Sequence, residues 1–216
     1  MRVTGRNITG PKGDTGGEDP AVTAALDAWA RGTGGEHEAL TALAACRLIV
    51  PVVATLAERH TGGTEKEAEM ALPTLVGKDG RKAVIAFTGT EALTRWNAAA
   101  RPVPFPASRV WEYAAAEGFA VVIDVGGPVP LIVDGARLAA LARGERPPSP
   151  HEDPDVHAEI SAVTGDFTVE PGPQGSDFLV VLRAADAATA SRVAAEIGAR
   201  IRAGGRFRRG VAVRIA

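Results

Sequence analysis

MALPTLVGKDGRKAVIAFTGTEALTRW, residues Met70 to Trp96, spells two strands, a tight turn and a helix. Leu72, Leu75 and Val76 before the turn and Val84, Ile85 and Phe87 after it give apolar faces. Between them, Gly77-Lys78-Asp79-Gly80 carries the Asp-Gly pair whose positive φ a short hairpin connection needs. The second strand closes on Phe87. Thr88-Gly89-Thr90-Glu91 then has the spacing of a capping box, with Thr88 capping the third helical N–H and Glu91 reaching back to the cap. Leu93 and Trp96, three residues apart, supply the inner face of that helix.

On the N-terminal side, residues 1–18 are Gly- and Thr-rich and read as a flexible tail. GPKGDTGG within it lacks both a sustained glycine period and the Gly-Lys-Ser/Thr of a phosphate loop. Asp19-Pro20 then caps a helix whose apolar stripe is Val22, Ala25, Leu26 and Trp29, ending at Gly32. A short helix spans 36–45, and RLIVPVVA is a strand whose Pro51 cannot donate to a ladder, which predicts a sheet edge or a bulge. The polar, Gly-containing residues from Glu58 to Glu69 read as a loop.

On the C-terminal side, Pro102, Pro104 and Pro106 hold the backbone extended, and a helix from Ala107 to Glu117 stops at Gly118. FAVVID is a nearly continuous apolar run expected to be a central strand buried on both faces. Gly126-Gly127-Pro128 turns the chain into Val129 to Val133, and Asp134 caps a helix reaching Leu141. The Pro-rich, charged residues 144–157 mark a boundary between lobes. Beyond it come strands near 166–170 and 178–182, a helix over 187–203 with Ala190, Val193, Ala194, Ile197 and Ile201 on one face, and a last strand over 209–215.

Two of these stretches, ALPTLVGKDGRKAVIAFTGTEALTRWNAAARPVPFPA and GFAVVIDVGGPVPLIVDGARLAALARGE, resemble the SseB family in the form found in actinobacterial proteins. The shared features are an Asp-Gly-Arg turn, a strand closing on Phe-Thr, a helix ending near Trp, Ala-Arg-Pro-Val-Pro, and an Asp-x-x-Gly-Pro-x-Pro hairpin. The resemblance covers about Arg47 to Glu145 and rests on structural punctuation, not on reactive residues. It implies a protein of the kind suspected of modulating rhodanese-type sulfur-transfer enzymes.

Composition narrows the classes. The 216 residues, 45% of them hydrophobic, suffice for one or two cored domains. A formal net charge of -2 gives no whole-molecule pull toward nucleic acid or anionic membrane, so neither is expected as a partner. The N-terminus lacks the basic-then-apolar order of a secretory signal and Cys46 is the single cysteine, which together predict a cytoplasmic location.

Few residues carry the types that chemistry needs. Cys46, at a helix-to-strand junction facing Leu48-Ile49-Val50, reads as a buried thiol, with a thiol-dependent sulfur carrier as the competing reading. His151, Glu152, Asp153, Asp155 and His157 could ligate a divalent metal, but Pro154 interrupts them and a solvated acidic linker is favoured. Asp124 stands at a strand terminus, where α/β proteins often place a site, although turn-capping is the simpler role. Arg192, Arg200, Arg202, Arg206, Arg208, Arg209 and Arg214 face only Glu196, a basic end with Phe207 as its sole aromatic, and a solvated face is favoured, with an acidic protein partner as the main alternative ahead of a nucleic-acid surface. Arg95, Arg101 and Phe105, with Trp96 and Trp111, are hot-spot residue types around a Pro-stiffened strip that loses little entropy on docking. Inward packing of Trp96 and Trp111, with the prolines merely crossing the sheet, is favoured over docking.

The expectation is therefore an α+β chain. A tail of 1–18 precedes a larger lobe of 19–145 with a mixed five-stranded sheet, a linker of 146–155, and a β-β-α-β lobe of 156–216. With no nucleophile–base pair, metal cluster or phosphate loop legible, no catalytic residue and no cofactor are expected. The expected role is non-enzymatic interaction or regulation through the Pro-rich strip, at Arg95, Arg101 and Phe105, or through the groove between the lobes. The partner would be a protein. The alternative is a sulfur carrier or small-ligand protein.

Overall fold

The structure, a computed structural model, describes residues 16–52, 72–78, 80–183 and 186–216. The readings of the tail before Gly16, of the strand beyond Val52, of the loop from Glu58 to Glu69 and of Asp79 fall outside these residues. The described chain is α+β, as expected.

Its N-terminal part contains α1 (Pro20–Ala30), α2 (Glu36–Leu43), β1 (Arg47–Val52), β2 (Thr74–Val76), β3 (Lys82–Ala86), α3 (Thr90–Trp96), β4 (Arg101–Pro106), α4 (Ala107–Glu117), β5 (Ala120–Ile123), β6 (Leu131–Val133) and α5 (Gly135–Ala142). The five-stranded sheet resolves instead into a four-stranded sheet, β2-β3-β5-β6, and a separate antiparallel pair, β1-β4. Proline is the cause. Ile49 and Phe87 exchange backbone hydrogen bonds of 2.7 and 2.8 Å, so β1 does approach β3. The next residue of β1 on that same edge is Pro51, which has no N–H, and the facing Ile85 already donates to the Pro73 carbonyl at 3.3 Å. The ladder therefore stops at one bridge.

β1 completes its other edge with the Pro-rich strip. Leu48, Val50 and Val52 lie opposite Phe105, Val103 and Arg101. Since Ile49 points its N–H toward Phe87, these three pairs carry the ladder bonds, and Pro102, Pro104 and Pro106 turn their donorless nitrogens to the outside. The alternating prolines thus build an edge strand that accepts no further neighbour.

β5 is central, parallel to β3 and antiparallel to β6. It is not buried on both faces: Val121 and Ile123 face the main core, while Ala120 and Val122 are only half-buried. That core gathers Val84, Ala86, Val121, Ile123, Leu131 and Val133 beneath Trp29, Leu40, Trp111 and Leu138. The opposite face opens toward β6, where Ile132 is 48% exposed.

The C-terminal part holds α6 (Pro154–Ser161), β7 (Phe167–Pro171), β8 (Phe178–Leu182), α7 (Ala187–Gly204) and β9 (Val211–Ile215). β7-β8-β9 is the expected β-β-α-β sheet, with β8 and β9 parallel across the α7 crossover. Ala190, Val193, Ile197 and Ile201 are the buried stripe of α7, packed with Phe178, Val180 and Leu182.

Helix α6 was not anticipated. Asp153 caps it by accepting from the Asp155 N–H at 2.9 Å, and Pro154 fills its first turn. Asp155, read as solvated, instead accepts the Ala136 N–H at 2.8 Å and so caps α5 from another element. Gly135 between them has φ 55°, and a side chain there would collide with the Asp155 carboxylate. No described helix is long and apolar enough to cross a membrane.

Candidate functional site

The strip residues separate on folding. Arg95 and Arg101 are exposed, Arg95 lying 4.0 Å from Glu91 on its own helix. Phe105 is 8% exposed and packs in the main core, and Trp111 is fully buried. The aromatic half of the expected docking strip is therefore structural, because Phe105 and Val103 share the inward face of β4. Trp96 stacks at 5.5 Å against Phe87 and closes a small third core with Ile49 and Leu93.

Asp124 ties two strand ends together. Its carboxylate accepts the Thr88 N–H at 3.0 Å and the Thr88 hydroxyl at 2.8 Å. Thr88 is consequently unavailable to cap α3, whose N-cap is Gly89 without any side-chain bond. Asp124 also adopts φ 53°, the one described non-glycine residue at positive φ. Burial pushes its carboxyl above the usual carboxylate range, against the opposing pull of the Thr88 bonds, with Glu18 adding to the rise and Arg95 resisting it. A crevice of about 170 Å³ lies here, between α1, α3 and the β5–β6 turn.

Cys46 packs against the main core, and burial raises its thiol to about 12, with Asp19 adding to the rise. At neutral pH that sulfur is a thiol, not the thiolate a sulfur carrier requires.

The two parts meet through a buried ionic chain. Arg137, 2% exposed, holds Glu36 and Asp134. Glu36 also takes Arg206, whose Nε lies 3.3 and 3.2 Å from its two oxygens. Arg206 in turn holds Asp153, which is 0% exposed. Burial alone would lower the Arg206 pKa, but Glu36 and Asp153 outweigh it and raise it. The Trp29 indole N–H donates to the Arg206 carbonyl at 2.8 Å, and Arg208 lies 5.2 Å over the Trp29 ring.

Beside this chain runs a groove of about 630 Å³ walled by both parts. Pro130, Leu131 and Ile132 form one wall; Gly204, Gly205, Arg206 and Arg208 form another; Ala158 and Glu159 of α6 contribute a third. A groove thus lies where residues of both parts meet, as expected of a cleft between lobes. The sequence does not reveal the ion pairs beneath it, because Arg206 stands in a basic C-terminal run and Asp153 in a Pro-rich linker. The remaining arginines at that end are divided: Arg209 pairs with Asp177 at 3.1 Å, Arg214 with Glu170 at 3.2 Å and Arg200 with Glu196 at 3.6 Å. His157 Nε2 is 2.8 Å from the His151 carbonyl, and no metal-ligating cluster forms among the described residues.

Residues 22–140, more than half of the chain, match a family model described as the SseB protein N-terminal domain. No curated protein and no solved structure matches the chain.

Proposed function

The chain belongs to the SseB family, and from that premise we propose that it is a non-enzymatic interaction or regulatory protein of the cytoplasm, of the actinobacterial type, whose protein partner docks in the groove between its two parts. The observation that carries this reading is the groove itself. Walls from distant stretches of chain surround it, and Glu36 and Arg206 in its lining, with the buried Asp153 behind them, form ion pairs that hold the wall elements together. A preformed cleft of that kind loses little entropy when a partner enters. Arg95 and Arg101, both exposed on the N-terminal part, offer a second contact surface. The competing sulfur-carrier reading is weakened by the Cys46 thiol at about 12.

The test is affinity capture by the tagged full chain from its native lysate, with Arg208→Glu, Glu159→Lys and Arg101→Ala compared against wild type. A partner retained by wild type and lost with either groove variant supports groove docking. Loss with Arg101→Ala alone moves the face to the strip. Catalytic turnover that survives stringent purification and disappears on one point substitution overturns the non-enzymatic reading.

A further inference from the structure

β6 is an edge strand, and the direction of its backbone groups follows from its neighbours. Asp124 N donates to Ala86 O at 3.0 Å, so the even-numbered residues of β5 face β3. Val121 and Ile123 therefore face β6 and share its ladder bonds with Val133 and Leu131. Ile132, opposite Val122, turns both its N–H and its carbonyl away from the sheet. Arg137 Nη1, 3.3 Å from the Ile132 carbonyl, independently places that oxygen on the outer side. By this register the Ile132 N–H makes no ladder bond to β5, no turn or loop bond is made by it or to the Pro130 carbonyl among the described residues, and both residues line the groove.

We propose that this edge is a strand-addition site for an extended peptide of a partner protein, paired parallel to β6 opposite Leu131. The inference rests on the interaction reading above and specifies its chemistry. Parallel pairing is selected because the residue opposite Leu131 donates to the Pro130 carbonyl and accepts from the Ile132 N–H, the two groups still free. Antiparallel pairing would need the Ile132 carbonyl, which Arg137 occupies. The next peptide residue lies beside Ile132, whose half-exposed side chain favours an aliphatic or aromatic neighbour.

Charge sets the remaining preference. Asp134 lies between Arg81 and Arg137, and Asp155 is committed to the α5 N-terminus, so both of these acids have protein partners. Arg208 is stacked on Trp29 and has no carboxylate partner among the described residues, so a peptide carboxylate is complementary to it. Glu159 on the α6 wall disfavours a second acid at that end.

Phage-displayed random peptides panned against the full chain provide the probe, with affinity of the selected peptide read by fluorescence anisotropy. The expected selection joins an aliphatic or aromatic residue to an acidic one. N-methylation of the single amide that faces Pro130 is expected to weaken binding by about tenfold or more, while methylating either neighbouring amide leaves it nearly unchanged. Arg208→Glu is expected to weaken it by a similar factor. No enrichment, or a selected peptide indifferent to N-methylation at every position or to Arg208→Glu, overturns strand addition. If panning fails while lysate capture still yields a partner lost with groove variants, strand addition falls and the interaction reading stands; if both fail, both fall.

Discussion

Arg206 grips Glu36 with two nitrogens, Nε at 3.3 and 3.2 Å from the two carboxylate oxygens and Nη2 at 3.0 Å from one of them, across 170 residues of sequence. The same guanidinium holds Asp153. Removing Arg206 leaves one fully buried carboxylate without its cation and strips a second of one partner. Arg206→Ala is therefore expected to cost about 3–5 kcal/mol of unfolding free energy. Arg200→Ala, at an exposed pair, should stay within about 0.5 kcal/mol of wild type. Urea denaturation of the three proteins decides it; equal midpoints for the two variants would show that the buried chain adds nothing.

The fate of Phe105 gives a second expectation. Its ring is part of the main core, so Phe105→Ala should destabilise the protein by about 3–5 kcal/mol. Arg101→Ala at the exposed start of the same strand should be nearly silent in thermal unfolding. A docking residue would behave the other way, with Phe105→Ala folding normally and losing only a partner.

What the sequence makes legible is local. Asp19-Pro20 starting α1, Gly118 ending α4 and the aliphatic stripe of α7 depend on neighbours within a few residues, and each forms as read. Pro51 announces a broken ladder without saying which edge it breaks; that depends on Ile49 meeting Phe87. Thr88 has capping-box spacing, but Asp124, 36 residues away, claims both its donors. The ionic chain beside the groove is the extreme case. Glu36, Asp153 and Arg206 look like ordinary surface charges in sequence, and only tertiary packing turns them into partners.

Asp124 predicts a pH dependence with a definite sign. Burial raises its folded-state pKa from 3.8, so the folded protein holds this proton more tightly than the unfolded chain does. The stability this confers is fully present below 3.8 and is lost as pH rises through the folded value. Asn at this position keeps an acceptor and a donor for Thr88 and tolerates positive φ, but it does not titrate. The stability of wild type minus that of Asp124→Asn should therefore fall between acidic and neutral pH, by about 1.4 kcal/mol for each unit by which the pKa is raised. A difference that stays flat or rises with pH in paired denaturation curves would contradict the raised carboxyl.

Cys46 separates the two functional classes most directly. A thiol at about 12 presents a minute thiolate fraction at pH 7.5, whereas an unfolded cysteine near the usual value of 9.0 presents a few per cent. Labelling by a thiol–disulfide reagent proceeds through the thiolate, so the native protein should react about a hundredfold or more slowly than the same chain in denaturant. Raising the pH from 7 to 9 should speed native labelling by about tenfold per unit without a plateau, because the titration midpoint lies far above that range. Cys46→Ser should leave partner capture unchanged. Rapid native labelling with a plateau near neutral pH would instead mark an activated thiolate and favour the sulfur-carrier reading over groove docking.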